Sequence, residues 1–252
     1  MDEQVDRLVN KTWAKHQQTP LSKRLLIAVS GIPGSGKTTL AARVTQRLNA
    51  LWLEQNAGLG SGPRMATFLP MDGYHLTRAQ LSAMPDPNTA HARRGAAFTF
   101  DAPAFLELVK KLRKPLSAET RTIYAPSFDH AVKDPVAEDL PIAASSRVVV
   151  FEGNYLSLGT GAPEWKEAAG LMDELWFVDV EEAVARRRLI KRHVMSGIAA
   201  NEEEAARRAD ENDLLNGRDI VEGRLEVHEM VFSREDDEWG PEKQGIVEEL
   251  HG

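Results

Sequence analysis

Residues 31–38 read GIPGSGKT, and this octet limits the folds open to the chain more than any other stretch. It matches G-x-x-x-x-G-K-[ST] at every fixed position: Gly31, Gly36, Lys37 and Thr38. The apolar run at 25–29 that precedes it has the length of a strand buried on both faces. The residues that follow, TTLAARVTQRL, favour a helix with apolar positions at helical spacing. Strand, glycine loop and helix in this order predict a phosphate cradle at the carboxyl end of a parallel strand. Glycines let backbone N–H groups turn toward one centre, and the helix N-terminus adds partial positive charge. On this reading Gly31, Pro33, Gly34, Ser35, Gly36, Lys37, Thr38 and Thr39 hold the phosphates of ATP. Lys37 reaches the β- and γ-phosphates, and the Thr38 hydroxyl ligates Mg²⁺.

Composition narrows the partners. With 252 residues, 42% of them hydrophobic, the chain can build one sizeable α/β core. A net charge of −7 argues against the basic surface that nonspecific nucleic-acid binding needs. There are no cysteines, hence no disulfide framework and no thiolate chemistry. The opening residues, MDEQVDRL, are too acidic and polar for a secretory leader, and no apolar run approaches the ~20 residues of a transmembrane helix. A cytoplasmic protein with no membrane partner is expected. The oligomeric state stays open; an exposed apolar patch would mark a homodimer interface.

The rest of the chain frames the octet. Residues 1–20 carry Val5, Leu8, Val9, Thr12 and Trp13 at helical spacing and predict a covering helix that stops near Pro20. Residues 56–64, NAGLGSGPR, have the composition of a flexible loop. ATFLPM, 66–71, reads as a second strand with Asp72 at its carboxyl end, where α/β sheets bind ligands, and Gly73 permits a sharp turn there. Residues 84–100 hold two prolines, a glycine and the adjacent Arg93 and Arg94, and read as a long irregular binding loop. Asp101 precedes a helical pattern, so helix capping competes with ligand contact as its role. Residues 120–126 read as a strand running into a polar loop, SFDHAVKDPV, that contains Asp129 and His130. A core strand over 146–156 ends its apolar run at Glu152, followed by Gly153, which is the Walker B position for an acid that serves Mg²⁺. Beyond it come a short helix at 163–170 and a buried strand at 174–180. A helix over 181–197 follows, crowded with Arg186, Arg187, Arg188, Lys191, Arg192 and His193. A helical stretch at 201–220, a last strand at 224–232 and a polar tail at 233–252 complete the chain. The expected organisation is a single domain over 1–252 with an N-terminal helix at 1–20, an acceptor-binding insertion at 84–130 and a lid region at 186–200.

The octet alone specifies a nucleoside-triphosphate binder, and other signatures separate the classes. A GTPase would carry N-K-x-D after it, but the Asn10-Lys11 pair stands before it. The serine-glycine-glycine signature of transporter ATPases does not occur. Helicases and motors carry a tandem acidic pair, whereas Glu152 is followed by Gly153. Small-molecule kinases remain. The ordered segments GIPGSGKTTL, MDGYHL, RRGAAFTFDAPAF, IYAPSFDHAVKDP, VVVFEGNYL and RRRLIKRH, covering about residues 25–220, resemble the phosphoribulokinase/uridine kinase family, which includes bacterial-type pantothenate kinase. RRGAAFTFD is similar to a pantothenate-kinase segment, and MDGYHL to the aspartate–aromatic segment where uridine kinases place their catalytic base. The likeness extends to a branch described as fructose-transport-system kinases in bacteria and ATP-dependent kinases in fungi. Two departures stand out: Ser127-Phe128-Asp129 replaces the usual tyrosine-aspartate-phenylalanine, and Arg192-His193 replaces the usual arginine-aspartate of the lid. Both fall where substrate or phosphates are contacted.

The resemblance implies a P-loop NTPase fold, a three-layer α/β/α arrangement with a mostly parallel central sheet and a helical lid. It also implies ATP-dependent phosphorylation of a hydroxyl on a small metabolite, be it nucleoside, pantothenate-like or sugar. Asp72 is then the expected base, Glu152 completes the Mg²⁺ site, and Arg188 and Arg192 are the expected lid cations. Tyr74, His75, Arg93, Arg94, Asp101, Tyr124, Asp129 and His130 are the candidates for holding the acceptor. The alternative is an ATP-binding regulatory or switch protein that phosphorylates no metabolite. Retention of both Asp72 and Glu152 favours the enzyme.

Overall fold

A computed structural model of the chain describes residues 1–56 and 64–234. The loop expected at 56–64 and the tail expected at 233–252 therefore fall almost entirely outside the described residues. The apolar run before the octet forms β1, Leu25–Gly31, with all seven residues buried. Such a strand needs cover on both faces. It receives it from a five-stranded sheet with order β2-β5-β1-β6-β7, where β2 is Ala66–Pro70, β5 Val148–Glu152, β6 Glu174–Asp179 and β7 Glu229–Phe232. All its pairings are parallel.

Alternate residues of a strand point to opposite faces, so one strand feeds two cores. Leu25, Ile27 and Val29 pack with α1, Asp2–Gln18, and α2, Lys37–Gln55, through Leu8, Leu40, Val44 and Leu48. Leu26 and Ala28 face the other core, with Phe105 and Val109 of α5, Ala102–Arg113, and Trp165 of α6, Pro163–Gly170. Helices thus cover both faces of the parallel sheet. Helix α1 also closes the β7 edge. The Gln4 side-chain amide donates to the Phe232 carbonyl at 3.0 Å and accepts from the Phe232 N–H at 2.9 Å, as a neighbouring strand would. Lys11 and Lys15 meet the nearly buried Glu174, and Arg7 pairs with Glu229.

Two stretches differ from the sequence expectation. The loop expected over 84–100 contains helix α4, Pro87–Ala92, which starts on a proline and is capped by Asp86; a short helix α3, Arg78–Ser82, precedes it. The polar loop expected after residue 126 belongs to an antiparallel hairpin, β3 Ile123–Asp129 with β4 Asp134–Ile142. Toward the C-terminus lie α7, Glu182–Met195, and α8, Glu202–Arg208. A π-helical turn at Ala209–Asp213 then runs into α9, Leu214–Gly223.

Gly73 serves a purpose other than the sharp turn expected of it. Its φ is not positive, but a Cβ there would lie 2.0 Å from the Pro126 carbonyl oxygen. The hairpin backbone crosses directly over the 3-10 turn at Met71–Tyr74. Gly73→Ala must push two backbones apart, and the expected cost is about 1–3 kcal/mol, read as a lower urea midpoint with an unchanged slope.

Candidate active site

Strand register brings the octet and two acids to one edge of the sheet. Glu152 ends β5 with Val29 of β1 on one side and Pro70 of β2 on the other. The glycine loop leaves the carboxyl end of β1, and Asp72 lies two residues past Pro70. This is the edge where parallel α/β sheets bind ligands. Gly34 sits at φ +81, and α7 packs so closely on it that a Cβ would lie 2.8 Å from the Ala185 carbonyl oxygen.

At the centre, the Thr38 hydroxyl donates to Glu152 Oε1 at 3.0 Å, and Lys37 Nζ lies 3.8 Å from the same oxygen. Both charged side chains are nearly buried. Burial, the largest influence on each, pushes the Glu152 carboxyl up and the Lys37 ammonium down from their ordinary values. Their mutual attraction opposes both shifts. Asp72 is half exposed, and its charge acts on both residues. No cluster of three or more metal-ligating side chains occurs among the described residues. The donor set of a hydroxyl and a carboxylate nevertheless fits Mg²⁺, which takes one or two protein oxygens and completes its shell with water and phosphate.

The two expected lid arginines differ in setting. Arg188 donates to the carbonyls of Gly34 at 3.2 Å and Ser35 at 3.5 Å, to Ser233 Oγ at 2.9 Å and to the Arg234 carbonyl at 2.8 Å. It fastens the outside of the glycine loop to the chain leaving β7. Arg192, one helical turn on, is exposed, and its charge acts on both Lys37 and Glu152. His193 is buried, with Nε2 2.9 Å from Asp213 Oδ2.

The acceptor candidates form an arc beyond Asp72. His75 is stacked between Phe100 and Phe128, at 4.0 and 4.8 Å between ring centres. Its Nδ1 lies 2.8 Å from the Asp72 carbonyl, which can only accept, so Nδ1 carries the proton. Burial pushes the His75 pKa down, so at neutral pH Nε2 is left as an acceptor. Tyr74 lies in the core, edge-on to Phe105. Asp101 caps α5 by accepting from the Ala104 N–H at 2.9 Å. Asp129 accepts from the N–H groups of Ala131 and Val132 in the hairpin turn, and His130 stands edge-on to Phe128 at 5.2 Å. Tyr124 is exposed on β3. Arg94 is spent on the Lys133 and Leu76 carbonyls, Asp134 and the Phe128 ring. Arg93 instead donates to two neutral, buried amides, Asn212 at 3.1 Å and Asn216 at 2.7 Å.

Sequence reasoning passed over four of the residues that brace this arc. Tyr155 donates to the Gly95 carbonyl at 2.6 Å and so fixes the loop after Arg94. Asn212, Asp213 and Asn216 sit in a stretch that reads only as a polar helix; the four-residue spacing of its two asparagines was the available signal of a shared face.

The chain is similar to several known proteins. The profile of the phosphoribulokinase / uridine kinase family matches residues 26–197. A Schizosaccharomyces pombe protein provisionally named a uridine kinase is 41% identical over 231 residues, 91% of this chain and 90% of its own. The ATP-dependent kinase-like protein notR' of Aspergillus versicolor is 56% identical over 161 residues, 64% of this chain and 92% of its own. A solved structure from Silicibacter sp. TM1040, provisionally named a fructose transport system kinase, aligns with a TM-score of 0.73 at 31% identity. That alignment covers 90% of this chain and 98% of the other. The matched profile spans more than half of the chain and includes the octet and both acids at the sheet edge: the chain belongs to the phosphoribulokinase/uridine kinase family of P-loop kinases.

Proposed function

We propose that the protein transfers the γ-phosphoryl group of ATP to a hydroxyl of a small metabolite, with Asp72 as the base. The observation that carries this reading is a second carboxylate, half-exposed, two residues past the strand position paired with Glu152 and close enough for its charge to act on Lys37 and Glu152. Binding a triphosphate needs the Lys37–Glu152–Thr38 cluster alone; a half-exposed carboxylate next to it suits a hydroxyl that has to lose its proton. Phosphoryl transfer asks chiefly for positioning and charge neutralisation. The loop N–H groups and Lys37 hold the phosphates. Thr38 and Glu152 would hold Mg²⁺, which when bound neutralises charge on the β- and γ-oxygens.

Asp72 lies on a rigid turn pinned under the hairpin, and its carboxylate accepts the acceptor's proton as the new P–O bond forms and the bond to ADP breaks. The buried, partly compensated Lys37 gains a stronger anionic partner when phosphate arrives, which favours its charged form. Arg192 serves the charge that builds on the moving phosphoryl group, and Arg188 keeps the loop in shape. Acceptors on this reading are nucleosides, pantothenate-like compounds or sugars.

The reading is tested by ADP release from the purified chain across a metabolite panel. Acceptor-dependent ADP is expected; ATP binding with no turnover on any acceptor would shift the reading to a regulatory switch. Asp72→Asn should keep its affinity for the non-hydrolysable analogue AMP-PNP and lose turnover by a factor of ~10²–10⁴; near-normal turnover removes Asp72 as the base. Lys37→Ala should weaken AMP-PNP binding in calorimetry and lower turnover together. In Arg192→Ala, kcat should fall ~10-fold or more with little change in KM for ATP, as expected for a group that acts mainly in the transition state.

A further inference from the structure

Arg93, Arg207 and Arg208 line one cleft, and none of the three forms an ion pair with a carboxylate among the described residues. They converge on a cleft of about 360 Å³ between the end of α4 and α8, lined also by Ala92, Ala199 and Asn212. That volume suits a small metabolite. Arg93 is held in a fixed orientation by Asn212 and Asn216, whose amide oxygens orient the guanidinium and leave its charge uncancelled. The Nε of Arg208 is buried with no hydrogen-bond partner. A donor buried in this way is costly to leave unpaired.

Two acids line the same cleft, Glu204 and Glu211. Glu204 accepts from the Ala200 N–H at 3.1 Å, so its carboxylate is turned into the loop before α8. The nearby Asp210 is occupied in two bonds to Arg186. Three guanidinium groups against two carboxylates leave an excess of positive charge, and the guanidinium nitrogens that the asparagines do not occupy remain as donors, an arrangement that fits carboxylate or phosphate. The walls come from both sides of the active site: α4 belongs to the arc beyond Asp72, and Ala199 to the turn that ends α7. Asp213, next to Asn212, lies close enough to Lys37 for its charge to act there.

We propose that this cleft is an anion subsite and that the acceptor is a hydroxylated metabolite carrying a carboxylate or a phosphate group. The identification of the ligand as acceptor rests on the kinase reading above; the anion subsite itself does not.

The full chain, saturated with AMP-PNP and Mg²⁺ so that the glycine loop is filled, is titrated calorimetrically with matched compounds. One set is glycerol, D-glycerate and glycerol 3-phosphate; the other is ribose and ribose 5-phosphate. The anionic members should bind at least tenfold tighter than their neutral counterparts, and the glycerate and phosphate arms separate the two kinds of anion. Arg207→Glu, at an exposed position, should remove most of that difference while leaving the AMP-PNP affinity and the unfolding temperature unchanged. Arg93→Gln should also remove most of that difference from the opposite wall with the AMP-PNP affinity unchanged, at some cost in unfolding temperature because the amide oxygens of the buried Asn212 and Asn216 lose their donor. Equal binding of neutral and anionic members, or anion binding that survives both substitutions, overturns the subsite. ADP release is then followed on the same compounds. Release on the anionic members supports both readings, and release confined to neutral members overturns the identification of the anionic ligand as the acceptor. Anion binding that is sensitive to Arg207→Glu with no ADP release on any member sustains the subsite and counts against the transfer reaction.

Discussion

Lys37 and Glu152 are buried together where three strands end, and the surrounding architecture follows from the cost of doing so. Taking two opposite charges out of water costs on the order of several kcal/mol per ion, and attraction offsets this only where further hydrogen bonds complete the set. Thr38 supplies one such bond to Glu152, and the Ile32 carbonyl lies 3.5 Å from Lys37 Nζ. The two groups remain under tension, each pushed by burial toward its neutral form. A site in this condition gains by taking up phosphate and a divalent cation, since each buried charge then meets a stronger partner. The fully buried β1 and β5 hold the two groups in register, and α7 with Arg188 keeps the loop from relaxing away.

A second set of contacts joins parts of the chain that are far apart in sequence. Asn212 accepts from Arg93 and donates to the Arg94 carbonyl at 3.1 Å. Its neighbour Asp213 holds His193, which follows Arg192. The π-helical turn at Ala209–Asp213 thus touches the segment beyond Asp72 on one side and the basic helix on the other. Such turns recur at functional sites because the extra residue re-aims neighbouring side chains. Here the turn precedes α9, which carries the second asparagine, Asn216, to the same guanidinium.

The parts legible in the sequence were those with one dominant local signal. The octet, the continuous apolar runs of β1, β5 and β6, and acids directly past strand ends all report a single pressure, and the order of motifs named the family that the profile matches. The second strand of the hairpin was illegible because β4 reads DPVAEDLPI, with exposed acids, two prolines and no apolar alternation. It is held by backbone pairing and by Arg94, neither of which has a composition signature. Helix α4 was hidden by the Pro87 and Asp86 that start it, residues that also mark loops. The different fates of Arg93 and Arg94 could not be read from an adjacent pair of identical residues. One meets amides delivered from more than a hundred residues away, and the other meets the hairpin. Tyr155 was concealed for the same reason, as its partner is a backbone carbonyl sixty residues earlier.

The Gln4 amide on β7 has a reach beyond its two hydrogen bonds. Strand β7 is the sheet's outer member on that side, and an uncovered edge offers its N–H and C=O groups to any other strand. By imitating a partner strand at Phe232, Gln4 lets the N-terminal helix cover this edge. The next residue, Ser233, donates its N–H to the Asp179 carbonyl at 2.8 Å and meets Arg188 through its hydroxyl. The helix that opens the chain therefore ends a mechanical line that runs along the sheet edge to the back of the phosphate cradle. The cover of the sheet edge and the shape of the nucleotide loop share one anchor.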